Sequence, residues 1–308
     1  MKKIKKKILV IGGTGFIGSH LIKRSLKNGW QVTSLSLKKN KKKIFKNVRY
    51  INVDFSDYYK LKSKLNFNFD YIVNLGGYIN HSSKKSDEKN ILKNHFESTL
   101  NLILLSNRKL KRYVHIGSSD EYGFSKSPIK ESSIDSPSSI YAKAKNISTS
   151  LLLKLYKNSS FPVTILRLFI VYGPNQKKDR LLPYVITQSL KNSKIYLSHG
   201  KQLRDFCYVD DIIDAIMICI KNKKSLGQIF NLGYGKPFSV KEIVNKIIHI
   251  TGKGKPKYNF FTGKKNENLK LYPSIKKANK ILKWTPRVSI ENGLTKTIKS
   301  YKYINYIF

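Results

Sequence analysis

Tyr141 and Lys145 stand four residues apart in "PSSIYAKAKN", the spacing that puts two side chains on one face of a helix. A phenol with an ordinary pKa of about 10 is a poor base at neutral pH. An ammonium group beside it favours the phenolate. A shift of about three units requires roughly 4 kcal/mol of preferential stabilisation. The pair is a candidate proton-transfer device. One strand and loop earlier, "GSSDEYG" (117–123) crowds two serines, two carboxylates and a tyrosine into a short turn. There Asp120 reads either as a general base or as the cap of a Ser-Asp-rich loop, and we favour the cap.

A second cluster suits an anion. "VIGGTGFIGSH" places glycines at 12, 13, 15 and 18, satisfying both G-x-x-G-x-x-G and G-x-G-x-x-G between an apolar strand and a helix. Such glycines allow a tight turn and close backbone approach to a pyrophosphate that faces the positive helix N-terminus. The second strand should then end in an acidic residue holding the ribose 2′-hydroxyl of NAD. Ser36 stands there, followed by Lys38 and Lys39, so the lean is to NADP. Asp54, ending the third strand, reads as a partner of the adenine amino group or as a turn residue.

The elements that must carry these residues alternate. "KILVIG" is an apolar strand, and "FIGSHLIKRSLKNG" a helix ending on Gly29. "QVTSLSL" and "VRYINVD" are strands, "LKSKLNFNFD" a short helix and "YIVNLGG" a fourth strand. One long helix is expected over 89–107, "KRYVHIGSS" as a strand, a helix from about Ser138 to Lys157, and "FPVTILRLF" as a strand. This alternation predicts an α/β fold, a doubly wound parallel (Rossmann) sheet binding ligands at the carboxyl ends of its strands. Residues 1–171 are assigned to that domain and 172–308 to a smaller C-terminal α/β substrate lobe, with 205–233 packing back onto the sheet domain.

The 308 residues carry a formal net charge of +42. Lysines are spread along the chain, densest at 2–7 and 38–46, and are not interleaved with aromatics. Nonspecific, salt-sensitive binding of nucleic acid is expected, rather than a dedicated interface. The basic start followed by "ILVI" and glycines reads as a buried first strand, not a signal peptide. No apolar run reaches roughly 18 residues, so no membrane span is expected. Cys207 and Cys219 lack metal-ligand spacing and read as buried, reduced thiols of a cytoplasmic protein. No metal site is expected.

In order along nearly the whole chain, "GGTGFIGSH", "NLGG", "GSSDEYG", "YAKAK", "RLFIVYGP", "LRDFCYVDD" and "FNLGYGKP" resemble the extended short-chain dehydrogenase/reductase family, in its nucleotide-sugar epimerase/dehydratase branch. The resemblance implies that Tyr141 is the acid/base on a sugar hydroxyl. Lys145 would tune Tyr141 and bind the nicotinamide ribose, and Ser118 would hydrogen-bond the reacting oxygen. It implies NAD(P) contacts at Gly12, Gly15, Phe16, Ile17, Gly18, Ser36, Lys38, Asp54, Phe55, Leu75, Gly76, Gly77, Tyr141 and Lys145. Arg204 is the main candidate for the substrate diphosphate, with Arg180 and Lys264 beside it. Lys264 replaces a family arginine, and Ile170 an asparagine. The expected reaction is C4 epimerisation or 4-ketoreduction of a nucleotide-linked hexose. The alternatives are a 4,6-dehydratase using Asp120, or an RNA-binding protein on the same scaffold. A homodimer through the helices at 89–107 and 138–157 is implied. Asp210 and Asp211 are expected to cap the helix that follows them. His81 and His115 are read as pocket-side or core residues.

Overall fold

The computed structural model describes residues 5–37, 45–77, 85–262 and 267–305. The chain divides into two compact units. The first holds 1–123, 132–168 and 213–230, and the second 124–131, 169–212 and 231–308. The boundary therefore falls after Leu168; 124–131 goes to the second unit and 213–230 to the first.

The first unit runs β1 (Lys7–Ile11), α1 (Phe16–Lys27), β2 (Gln31–Ser36), β3 (Val48–Asn52), α2 (Tyr58–Lys64), β4 (Tyr71–Asn74), α3 (Lys85–Leu92), α4 (Ser98–Leu104), β5 (Arg112–Ser118), α5 (Ile140–Ser159) and β6 (Val163–Leu168). Further along the chain come β7 (Ile170–Tyr172), α6 (Leu181–Leu190), β8 (Lys194–Tyr196), β9 (Leu203–Tyr208), α7 (Val209–Lys221), β10 (Ile229–Leu232), β11 (Pro237–Ser239), α8 (Val240–Thr251), β12 (Lys255–Lys257), β13 (Lys270–Leu271) and α9 (Ile290–Asn305), of which most of α7 and the start of β10 return to the first unit.

Among the described residues the first unit's sheet has seven strands in the order β10-β6-β5-β4-β1-β2-β3. The pairs β1–β2, β2–β3, β1–β4, β4–β5 and β5–β6 are parallel. Every residue of β4, β5 and β6 is buried, as is Ile8–Ile11 of β1. That is the signature of strands covered on both faces. From β1 the chain winds outward to β3, then returns to β4 on the other side. The topological switch point thus lies between β1 and β4, where such sheets bind their ligands. Gly12–Gly18 follow β1 and Leu75–Gly77 follow β4, so both motifs meet there.

Three local expectations are corrected. The short helix is shifted towards the N-terminus, because Asp57 caps it by accepting from the Lys60 N–H. The single helix over 89–107 starts at Lys85 and is interrupted by a π turn at Lys93–Glu97. The strand over 161–169 ends at Leu168, and β7 resumes at Ile170. The second unit contains an antiparallel β11–β9 pair, with β13 and β7 parallel to β9. Its β8 and β12 form a separate two-stranded ribbon.

Candidate active site

Helix α5 begins where the Ser139 hydroxyl accepts from the Ala142 N–H at 3.1 Å, satisfying one of the free amides of the first turn. Its buried stripe is Tyr141, Ala142, Ala144, Lys145, Ser148, Thr149 and Leu152, the i, i+3, i+4, i+7 pattern of a core-facing helix. Tyr141 and Lys145 therefore share the face that packs on β5 and on the turn after it. The Lys145 Nζ donates to the Ile116 carbonyl at 2.8 Å, two residues before Ser118, which ends β5. Burial pushes the Lys145 ammonium down to about 8, while the Glu121 carboxylate pulls it back up.

The Tyr141 ring meets His95 edge-on, with centroids 5.1 Å apart. His95 sits in the π turn, a distortion frequent at functional sites. Its carbonyl accepts from Ser148 of α5 at 3.2 Å and from Thr99 at 2.7 Å, which pins the π turn to α5. His115 lies on β5. Burial pushes its imidazole well below the ordinary value, and Lys145 and His95 push in the same direction. It is a neutral core residue.

"GSSDEYG" folds as a 3-10 turn over Ser119–Tyr122 with a reciprocal cap. The Ser118 hydroxyl accepts from the Asp120 N–H at 3.2 Å, and Glu121 Oε1 accepts from the Ser118 N–H at 2.8 Å. Glu121 is fully buried. Its Oε2 takes both Nε and Nη2 of Arg167, at 3.1 and 2.8 Å. The other edge of Arg167 holds Asp135 at 2.7 Å through two bonds, and its guanidinium lies 4.3 Å from the Tyr122 ring centre. Burial alone would disfavour the guanidinium; Asp135 and Glu121 more than offset this and raise its proton affinity. Asp120 is half-buried on the turn, and its N–H serves the cap.

The glycine loop after β1 fits an anion. Helix α1 has Gly15 as N-cap with no side-chain cap, and no acidic residue in its first turn, so its N-terminal amides face outward unpaired by side chains. A Cβ at Gly18 would fall 2.3 Å from the Gly12 carbonyl oxygen, so the loop closes on the helix only because that side chain is missing. Phe16 and Ile17 open α1, half-buried, and Leu75, Gly76 and Gly77 follow β4. Asn74 shapes that second loop: its Oδ1 accepts from the Gly76 N–H at 2.9 Å, while its Nδ2 donates to Thr99 and Tyr113.

Ser36 is buried and accepts from the Asn52 amide at 2.9 Å. Asp54 accepts from the Ser56 N–H at 3.0 Å and from its hydroxyl, with Lys93 at 3.6 Å. Burial raises its pKa, but those Ser56 bonds and the Lys93 ammonium leave it below the ordinary carboxylate value. The Phe55 side chain is in the apolar core. Lys38, Lys264 and His81 lie outside the described residues.

In the second unit, Arg204 on β9 donates to Glu267 at 2.9 Å, and Gln202 donates to the other oxygen of the same carboxylate at 3.0 Å. Arg180 is the half-buried N-cap position of α6. Asp205 accepts from the Tyr234 and Gly235 amides at 2.5 and 2.7 Å, closing their turn. The expectation that Asp211 caps α7 is corrected, because α7 already begins at Val209. Asp211 instead accepts from the Arg287 and Val288 amides at 2.9 and 3.1 Å. Cys207 and Cys219 are free and buried. Among the described residues there is no metal-binding cluster, and no helix long and apolar enough to cross a membrane.

Sequence reasoning missed His95, Asn74 and the Glu121–Arg167 pair. Asn74 stood in the quoted "NLGG", but nothing local marks an asparagine as the brace of the loop after it. Glu121 and Arg167 are 46 residues apart, beyond any spacing rule.

The chain is similar to known proteins. A model of the NAD dependent epimerase/dehydratase family matches residues 8–233. A UDP-glucuronate 4-epimerase of Thermodesulfobacterium geofontis is 28% identical over 311 residues, 94% of each chain. A dTDP-D-glucose 4,6-dehydratase of Dictyostelium discoideum is 29% identical over 291 residues, covering 80% of this chain and 62% of that one. The crystal structure of a UDP-glucuronic acid 4-epimerase from Bacillus cereus, in complex with UDP-glucuronic acid and NAD, superposes with a TM-score of 0.86. It is 27% identical, over 97% of this chain and 99% of that one.

Proposed function

This chain belongs to the NAD dependent epimerase/dehydratase family, and from its own site we propose that it interconverts the 4-hydroxyl and 4-keto forms of a nucleotide-linked hexose, as a C4 epimerase or a 4-ketoreductase. The observation that carries this is the Tyr141–Lys145 pair on the buried face of α5, with Lys145 anchored two residues from Ser118. Bound NAD(P) supplies hydride transfer at sugar carbon 4. Tyr141, as phenolate, takes the C4 hydroxyl proton when the alcohol is oxidised and returns it when the ketone is reduced. The Lys145 ammonium favours that phenolate. Ser118 Oγ holds the reacting oxygen.

Ser36, rather than a carboxylate, ends β2, which supports NADP as the cofactor. Arg204, with Arg180 and Lys264, is assigned to the diphosphate. Leu104 on α4 and Ile147 on α5 are 61% and 45% exposed, which supports a homodimer through these helices. A 4,6-dehydratase would ask Asp120 to remove the C5 proton. With Glu121 held by Arg167, the turn offers that reaction one carboxylate in place of a pair, and this favours redox chemistry without water loss.

The test is mass spectrometry of small molecules released on denaturation, followed by incubation with UDP-, GDP-, CDP- and dTDP-hexoses. Co-purified cofactor with no net mass change in the sugar indicates the epimerase. Turnover of 4-keto sugars alone, and only with added NADPH, indicates the reductase. Loss of water from the sugar would overturn both in favour of the dehydratase.

A further inference from the structure

The buried carboxylate of "GSSDEYG" bonds Arg167 and also lies near enough to Lys145 to favour its ammonium form. We propose that Glu121 is a positioning residue that keeps Lys145 ionised and, through Lys145, sets the proton affinity of Tyr141. This rests on the reading of Tyr141 and Lys145 as a working pair.

Three consecutive residues at the end of β5 bring the charges together. The Ile116 carbonyl holds the Lys145 ammonium, and the Ser118 N–H holds Glu121 Oε1. Gly117 lies between them. A Cβ there would fall 2.5 Å from Glu121 Oε1, so the carboxylate occupies the space a side chain would fill.

A count of charges gives the reason. Arg167 carries one positive charge and bonds two carboxylates, Glu121 and Asp135. That trio has one negative charge in excess. Lys145 supplies the missing positive charge, and the four together are neutral. Glu121 and Arg167 are at most 1% exposed and Lys145 is 5% exposed, so an uncompensated charge in this place would be costly. The network also ties the turn to the catalytic helix, because Asn146 of α5 donates to Asp135 at 2.7 Å.

The other titratable groups of this cluster cannot replace Glu121. They are Tyr141 on its own helix, His115 on β5 and His95 in the π turn. The imidazoles are neutral or positive, and Tyr141 is the group being tuned. Burial drives Lys145 towards the neutral amine, and Glu121 opposes it. Without that carboxylate the ammonium would lose its proton at a lower pH, and the phenolate would be left with a weaker counter-charge.

The experiment follows Tyr141 directly and needs no substrate. The full-length protein is labelled with [ζ-13C]tyrosine, and the resonance absent from Tyr141→Phe is followed against pH. In the wild type it should ionise below the ordinary value of about 10. In Glu121→Gln its ionisation should move up by about one unit or more. Because that change breaks a buried ion pair, Asp135→Asn serves as the milder variant. It removes the same excess charge from a partly exposed position, and should shift Tyr141 upward by less. If Tyr141 titrates at the wild-type pH in Asp135→Asn and in folded Glu121→Gln, the inference is wrong. If the wild-type Tyr141 itself shows no depressed ionisation, it is the Tyr141–Lys145 pairing that fails.

Discussion

The Lys145 ammonium is hydrogen-bonded to the Ile116 carbonyl at 2.8 Å, fixing the one cation of the buried stripe of α5 beside the end of β5. Its pKa of about 8 lies below the ordinary 10.5 because of burial. Turnover that needs the ammonium should therefore fall as pH rises through about 8. Lys145→Arg keeps its charge throughout and should move that alkaline limb upward, with a lower plateau because the planar fork fits differently. Folding responds the other way. Between pH 8 and 10.5 the unfolded chain binds the proton that the folded chain has released, so this group adds stability as pH rises there, and loses it below. A pH–rate profile of both proteins checks the first statement, and thermal melts across the same range check the second.

Gly18→Ala should damage the cofactor cradle. The new methyl would meet the Gly12 carbonyl oxygen, a backbone atom with little room to move. The expected loss is about 1–3 kcal/mol of stability, and roughly tenfold or more in NAD(P) affinity as the α1 amides are displaced. Calorimetric titration with the dinucleotide reads it. Wild-type affinity would remove α1 from the proposed pyrophosphate site.

Arg204→Ala should raise the KM for the nucleotide sugar by roughly tenfold to a hundredfold, the effect of losing a charged hydrogen bond of about 1.5–3 kcal/mol, with a smaller change in kcat. Arg204→Lys should restore little, because an ammonium cannot hold both Glu267 and a phosphate in the fork geometry. Steady-state kinetics on the active sugar from the panel gives the comparison. An unchanged KM would move the diphosphate elsewhere.

Leu104→Glu combined with Ile147→Glu should convert the proposed homodimer to monomer without unfolding it, since both side chains are exposed on the chain itself. Light scattering at micromolar concentration decides. A wild-type monomer would end the dimer proposal outright.

Much of the fold was legible because its signals are local. Glycines between an apolar strand and a helix, apolar runs covered on both faces, and the Tyr-x-x-x-Lys spacing all act within one element and its neighbour. The errors arose where a tertiary contact overrode local preference. The π turn at Lys93–Glu97 is held by the bond from Ser148 to the His95 carbonyl, which no reading of 89–107 contains. Asp211 has the position of a cap, yet it accepts from amides 76 and 77 residues away.

The two carboxylates of "GSSDEYG" show the same boundary at single-residue scale. The sequence alone determined that an acidic pair sits on a tight turn just after β5, one loop before the Tyr141–Lys145 helix. It did not determine which acid faces inward. On a 3-10 turn neighbouring side chains point about 120° apart, so Asp120 and Glu121 cannot both enter the core. Arg167, brought from β6 by parallel pairing with β5, selects Glu121, because a buried guanidinium must find carboxylates within bonding distance. That choice depends on which strands lie side by side, and only the folded sheet makes it.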